Sequence, residues 1–360
     1  MGDSTDPLPR VAQAGGYGRQ YPHRGHYFFN ATIGALAFVG ACFVLHAILP
    51  SPEVPGVTPK LRYFIEHKDE FDTLFIGSSH IYRHVDPLTF DQVAAEHGLA
   101  TRSFNLAIGG MHPPESFYVL DQVLRAGPTK LKWVFVELED LYPKWTKENR
   151  DTRRFLYWHN WPLTSLAVAK TIHFDERRWW KIPWQTLRSR TARVHLATFL
   201  KNLTNVGGAK DFEDWLAVRA QGDSNSEEFD QGRGYKPRPD IMSIDQARQY
   251  REQLQRSTAT AGQRFLDPVT DKGYRDCARQ IRDGGATPIF VVSPGSSQIE
   301  PRFHDPGSPG VVLAFNKANN YSALYDPRVR ADPQHLTGEG AQEFTRLLAE
   351  RFKTEVAGGE

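Results

Sequence analysis

The sequence lacks an excess of charge of either sign and contains very little cysteine. Its 44 lysine and arginine residues are balanced by 42 acidic residues, so the formal net charge is only +2. Without a positive balance the chain has no general attraction for phosphate backbones, which argues against nucleic acid as a partner. The two cysteines, Cys42 and Cys277, lie in an apolar run and in a predicted helix. A disulfide between them is not expected, and cysteine content leaves the cellular compartment open.

Motifs for metals and phosphates are also missing from the sequence. No spacing of histidine, cysteine and acidic residues fits a metal site, and there is no glycine-rich phosphate-binding loop. We therefore expect no metal and no other cofactor. The composition, 40% hydrophobic and 24% charged residues, is typical of a folded protein with a sizeable core.

One long apolar run lies near the amino terminus. Residues 28–49 (FFNATIGALAFVGACFVLHAIL) are about long enough to cross a bilayer as a helix, since a span needs roughly 20 residues. The run is longer than the apolar part of a cleaved signal peptide, which has about 7 to 15 residues, and no convincing cleavage site follows it. We predict a transmembrane helix, with a cleaved signal peptide as the rival interpretation.

Polar segments flank the predicted membrane helix. Residues 1–27 have too few apolar side chains to form a core and are predicted to be a disordered tail. Residues 50–60 contain four prolines and are predicted to be an extended linker. Three arginines precede the apolar run and two cations closely follow it. This small bias favours a cytoplasmic amino terminus and a carboxy-terminal body in the periplasm or at the cell surface.

Strand and helix patterns alternate from residue 61 onward. Such alternation is typical of a parallel sheet that is covered by helices on both faces. We predict an α/β fold with three layers (α/β/α) and a five-stranded, mostly parallel sheet. In such folds ligands bind beyond the carboxyl ends of the strands. The predicted strands are residues 72–77, 103–107, 133–138, 288–292 and 321–325.

The alternation is interrupted at residues 141–266, which are predicted to be a helical insertion. The first half of the insertion is rich in tryptophan and arginine. These residues suit a lid, a sugar-stacking surface or a face against the membrane interface. The alternative is a small helical subdomain in which the tryptophans form the core. Residues 221–239 are polar and rich in glycine and proline, which predicts a flexible loop.

Three polar side chains at predicted strand ends have the chemistry of a nucleophilic site. Ser79 follows the first strand, and Asp332 and His335 precede the last amphipathic helix, which Thr337 can cap. A serine hydroxyl becomes a good nucleophile when a histidine takes its proton and a carboxylate orients that histidine. We predict that these residues form a Ser-His-Asp triad. Each motif alone is also common as a helix cap or a local turn, so their order along the strands carries the prediction.

Further residues are candidates for the same site. The backbone N–H groups of Ser79, Gly109 and Gly110 are candidate donors to an oxyanion. His80, His112 and Glu137 are possible substrate contacts. For His112 the alternative is a solvent-facing loop position, and for Glu137 it is a carboxylate satisfied by backbone N–H groups. Ser293, His304 and Asp305 form a second grouping, which lacks a strand-to-helix frame and is interpreted as loop residues.

These motifs resemble those of the SGNH, or GDSL-like, hydrolases and acyltransferases. The Gly-Ser-Ser turn at 77–79 matches the serine block, residues 105–110 (NLAIGG) match the glycine block, and residues 332–335 (DPQH) match the last block. The similarity covers residues 61–138 and 273–352. One block differs: the family has an asparagine that donates to the oxyanion, whereas the third strand here ends in Glu137, which at neutral pH only accepts.

The resemblance predicts function as well as fold. The Gly-Ser-Ser variant with an amino-terminal anchor is most similar to the membrane-tethered branch that includes the teichoic-acid D-alanylation and alginate acetylation proteins. We therefore predict a membrane-anchored serine esterase or O-acyltransferase that acts on an acylated polysaccharide or a small acyl ester, with acetyl as the expected group. A membrane-bound O-acyltransferase is the implied partner. The alternative is a non-catalytic polysaccharide-binding or accessory subunit of an acyltransferase or export complex.

Overall fold

The computed structural model describes residues 24–48, 54, 56–141, 153–172, 189–204, 227–304 and 307–356. Most of the predicted tail, nearly half of the predicted linker and about two fifths of the predicted insertion lie outside these residues.

The apolar run near the amino terminus forms one long helix. This helix, α1, covers Arg24–Ile48 and so begins four residues before the predicted span. Its most apolar window, Tyr27–Val44, has a mean hydropathy of 1.7, and only 6% of that window is buried. Large apolar side chains such as Phe28 and Leu36 are exposed. By length and composition the helix can cross a membrane, and a signal sequence would have the same features.

Five parallel strands form the centre of the body. The seven strands of the described residues are Thr73–Ile76 (β1), Ser103–Asn105 (β2), Trp133–Glu137 (β3), Gly262–Phe265 (β4), Thr287–Val292 (β5), Ile299–Arg302 (β6) and Val311–Ala314 (β7). The main sheet has the order β2-β1-β3-β5-β7, and each neighbouring pair is parallel. Strands β4 and β6 pair as a separate two-stranded parallel sheet. The predicted five-stranded α/β sheet is confirmed.

Helices cover both faces of the main sheet. After α1 the described helices are Thr58–Glu66 (α2), Ser79–His84 (α3), Pro87–Glu96 (α4), Glu115–Arg125 (α5), Arg153–Leu156 (α6), Trp161–Ile172 (α7), Arg190–Leu203 (α8), Ile244–Ala259 (α9), Pro268–Asp283 (α10) and Gly338–Glu355 (α11). Leu74 and Ile76 pack in one core with α2, α5 and α10. Phe75 points to the other face, where its core includes residues of α3, α4 and α11. This alternation along β1 is the period of two expected of a strand.

Short polar residues begin several of these helices. Asp86 and Asp267 each precede a proline, and their carboxylates accept from Leu88 N–H and Val269 N–H respectively. The Thr337 side chain caps α11 as predicted, accepting from the N–H of Gly340. The amphipathic pattern of this segment predicts an inner face of Ala341, Phe344, Leu348 and Phe352, and these four residues are buried in α11.

The prediction of the fifth strand was wrong. Residues 321–325 form a 3-10 helix, Ser322–Tyr325, and the edge strand of the main sheet is β7. Leu324 and Tyr325 are buried in this helical turn. A short apolar run satisfies burial as a strand or as a helical turn, so its length alone did not distinguish the two.

Two segments predicted to be extended or flexible also pack against the body. Val57 is buried and α2 begins at Thr58, so the folded part starts before residue 61. The described part of the predicted loop, residues 227–239, crosses the end of β2, where the N–H of Asn105 donates to the carbonyl of Arg233 at 2.9 Å. Lys60 fastens both segments together, because its ammonium donates to the carbonyl of Gly234 at 2.6 Å.

The packing around Gly77 predicts the effect of one added methyl group. A Cβ at this position would lie 2.5 Å from Ile81 Cγ1 and 2.7 Å from the Cβ of Glu137. We expect Gly77→Ala to lower the free energy of unfolding by about 1 to 3 kcal/mol through overpacking, as measured by denaturant unfolding. Gly262→Ala is the control, because a Cβ there meets nothing within 4 Å. Equal stability of the two variants would contradict the close contact.

Candidate active site

Ser79 stands at a tight junction between the sheet and α3. It is the first residue of α3, and two residues separate it from the end of β1. The preceding Ser78 caps the helix, since its side chain accepts from the N–H of His80. At the first position of a helix, the N–H of Ser79 has no acceptor within the helix. The junction therefore fixes both the hydroxyl and the N–H of Ser79.

The three predicted triad residues lie within hydrogen-bonding distance of one another. His335 Nε2 is 2.8 Å from Ser79 Oγ. His335 Nδ1 is 2.9 Å and 3.0 Å from the two carboxylate oxygens of Asp332. Because an ionised carboxylate only accepts, Nδ1 carries the proton and Nε2 is free to accept from the serine hydroxyl. This is the tautomer that a general base for Ser79 requires.

A buried arginine holds the loop that carries Asp332 and His335. The guanidinium of Arg330 is buried and donates to the carbonyls of Leu324, Pro294 and Pro333 at 2.9, 2.7 and 3.1 Å. The N–H of Leu336 then donates to His84 Nε2 at 3.0 Å, which joins the loop to α3. The loop is thus fixed on both sides of His335.

Arg238 is a member of the site that the sequence did not indicate. Its Nη1 donates to Asp332 Oδ2 at 2.8 Å. In the sequence it is one of 44 cations and lies in a segment predicted to be a flexible loop, so no local signal marks it. Its contact places a positive charge behind the carboxylate of Asp332.

The charge around His335 favours its neutral form. Burial lowers the pKa of His335, and the nearby positive charges of His80 and Arg238 lower it further, whereas Asp332 raises it. The net direction is downward from the ordinary value. Burial raises the pKa of Asp332, but hydrogen bonds from His335 and Gln334 outweigh that effect and lower it. At pH 7 the arrangement is therefore a neutral base beside an ionised carboxylate.

The two predicted glycine donors lie on the loop after β2. The N–H of Ile108 donates to the carbonyl of Gly77 at 3.1 Å, which holds this loop against the serine turn. An added Cβ at Gly109 or Gly110 would meet nothing within 4 Å, so the backbone there faces open space. Gly110 has φ 69°, a left-handed conformation that favours glycine.

An arginine of the insertion orients the peptide between these glycines. Arg154 Nη1 donates to the carbonyl of Gly109 at 2.7 Å, while its Nε donates to the buried carboxylate of Glu115 at 2.7 Å. In a trans peptide the N–H points opposite to the carbonyl. The Gly110 N–H is consequently directed away from Arg154, and its orientation is fixed by a side chain that the sequence did not single out.

The carboxylate of Glu137 makes its hydrogen bonds within the protein. Its exposure is 4%, and its Oε2 accepts from the N–H of Ser78 at 2.6 Å. Its Oε1 is 2.9 Å from His80 Nδ1. This is the structural alternative considered for a carboxylate at the end of the third strand, and it leaves Glu137 without a free oxygen for a substrate hydroxyl. His112 makes a similar pair with Glu139, with Nδ1 2.9 Å from Oε1.

Comparisons with known proteins give no match, either to a family model or to a curated protein.

A cavity of about 570 Å³ lies at the carboxyl ends of β3 and β5, and none of the three triad residues lines it. It is lined by residues next to the triad in sequence, including His80 and Gln334, and by Glu137. Ser293 also lines it, whereas His304 is engaged with the carbonyl of Leu266 at 2.7 Å. Asp305 of that second grouping lies outside the described residues. Within the described ranges no three acidic, histidine or cysteine side chains are arranged to hold a metal.

The charge state of His335 can be measured directly. We expect its pKa, followed by NMR of ¹⁵N-labelled histidine, to lie below 6.5 because burial and neighbouring cations disfavour the imidazolium. Asp332→Asn should lower it further by removing the carboxylate that raises it. Asp283→Asn, at an exposed helix end, is the control and should leave it unchanged. A pKa for His335 above 6.5 would contradict this account of the site.

Proposed function

We propose that the protein is a serine esterase or O-acyltransferase of the SGNH type. The observation that carries the proposal is the continuous chain of hydrogen bonds from Ser79 Oγ through the imidazole of His335 to Asp332. The support comes from three features together: a neutral base, an ionised orienting carboxylate and a serine at the carboxyl end of a central parallel strand.

The geometry supports a two-step acyl transfer. His335 Nε2 takes the hydroxyl proton as Ser79 Oγ bonds to the acyl carbonyl carbon, and the carbonyl oxygen becomes an oxyanion. The N–H groups of Ser79 and Gly110 are candidate donors to that oxyanion. As the carbonyl re-forms, the bond to the leaving oxygen breaks and His335 gives that oxygen its proton. Water or a second hydroxyl then attacks the acyl-Ser79 with His335 again as the base, which regenerates the serine.

The proposed setting is an extracytoplasmic membrane surface. α1 is long and apolar enough to anchor the body, and the resemblance of the site blocks favours an acetylated polysaccharide as substrate and a membrane-bound O-acyltransferase as partner. The cavity beside the triad includes polar side chains in its lining, among them those of Asp140, Lys170 and Asn316, which can hydrogen-bond to a hydroxylated acceptor.

A covalent probe tests the catalytic assignment. The full-length protein in detergent should be labelled at Ser79 by a fluorophosphonate, detected by mass spectrometry of the modified peptide, because His335 can deprotonate that hydroxyl. Ser79→Ala should abolish labelling. Ser297→Ala removes an exposed serine that lines the adjoining cavity and should label like the wild type. Absence of labelling in folded wild-type protein would reject the nucleophile and favour the accessory, non-catalytic function.

A further inference from the structure

The negative charge that acyl transfer creates requires several donors at one point. The backbone supplies the N–H groups of Ser79 and Gly110 as candidates. The end of the central strand β3 supplies none, since Glu137 only accepts and both of its oxygens already have partners. Any further donor near the end of β3 is therefore a side chain other than Glu137.

Glu137 gives His80 a defined orientation. The carboxylate can only accept, so His80 Nδ1, at 2.9 Å, carries the hydrogen of this bond. Nε2 lies on the other side of the ring and has no hydrogen-bond partner among the described residues. The His80 side chain is 23% exposed and lines the cavity beside the triad. The part of the ring that carries Nε2 is thus available to a ligand.

The ring of His80 lies next to the reacting groups. Its centroid is 5.6 Å from that of His335, whose Nε2 contacts Ser79 Oγ. It is also 5.6 Å from the ring of His84, which is buried and held neutral by that burial, with its pKa far below the ordinary value. Three imidazoles therefore lie together beside the serine turn. Of these, His80 pairs with Glu137.

The charges facing His80 favour a protonated ring. Burial lowers the pKa of His80 and so does the nearby His112, but the hydrogen bond and charge of Glu137, with the charge of Glu139, outweigh both effects and raise it. The pKa of His335 is shifted in the opposite direction. Two neighbouring imidazoles whose pKa values are pushed apart are suited to different roles, one as a base and one as a charged donor.

We propose that His80 is a further catalytic residue, whose Nε2–H donates a hydrogen bond to the acyl oxygen as that oxygen becomes negatively charged. This inference rests on the proposed acyl-transfer function and deepens it. His80 keeps its proton in this step: the Ser79 hydroxyl proton moves to His335 Nε2 as the bond from Ser79 Oγ to the acyl carbon forms, and the electron pair of the carbonyl shifts to oxygen. The His80 imidazolium stabilises the resulting negative charge. Glu137 is a positioning residue, because it acts through His80.

The pH dependence of ester hydrolysis tests the role of His80. The probe is 4-nitrophenyl acetate with full-length protein in detergent. We expect a bell-shaped profile of kcat/KM in the wild type, with an acid limb at the lowered pKa of His335 and an alkaline limb at the raised pKa of His80. His80→Gln should lower kcat/KM at pH 7 by about 10² to 10³, the effect of removing one oxyanion donor, and should remove the alkaline limb.

Two comparison variants separate chemistry from folding. Glu137→Gln removes the carboxylate that raises the pKa of His80, so the alkaline limb should move to lower pH. His97→Gln changes an exposed histidine at the end of α4 and should leave the profile unchanged. If His80→Gln does not fold, NMR titration of wild-type His80 replaces it: the ring should be protonated at the pH of maximal kcat/KM, and a neutral ring there overturns the inference.

The outcomes distinguish this inference from the function on which it rests. If Ser79-dependent hydrolysis is present but His80→Gln keeps the alkaline limb and stays within twofold of the wild type, the donor role is rejected and acyl-transfer chemistry stands. If the wild type shows no hydrolysis that depends on Ser79, the proposed function fails and the role of His80 fails with it.

Discussion

The site depends on the hydrogen bonds of the buried Glu137 carboxylate. It is buried at the end of the central strand β3, beside Gly77, where only a glycine leaves room for it. A buried charge is costly unless it is paired and hydrogen-bonded, and here its partners are the N–H of Ser78 and the ring of His80. Satisfying this one group therefore places the residues on both sides of Ser79.

A second set of contacts brings the base to the serine. Ser79 and His335 are 256 residues apart in sequence. They meet because α3, which begins at Ser79, and α11, which follows His335, pack in the same core on one face of the main sheet. Arg330 holds the base's loop through three carbonyls, and α11, capped by Thr337, fixes its carboxyl side. Buried hydrogen-bonded groups support both halves, and such groups hold a geometry better than exposed ion pairs do.

The sequence was sufficient for the parts of the fold that have strong local patterns. Four of the five strands of the main sheet, the start of α4 at Asp86-Pro87, and the cap and inner face of α11 follow from periodicity and short motifs. The predicted triad residues also come together. The edge strand was misplaced because a short apolar run has no distinguishing period. Arg238 and Arg154 could not be found, because their roles come from contacts across the fold that no spacing records.

The early start of the folded body limits how far it can stand from a bilayer. Val54 is already buried in the core, and only five residues separate it from Ile48 at the end of α1. Even fully extended, the chain from Ile48 to Val54 reaches only about 20 to 22 Å. With α1 in a bilayer, the domain would lie close against the lipid surface rather than at the end of a long tether.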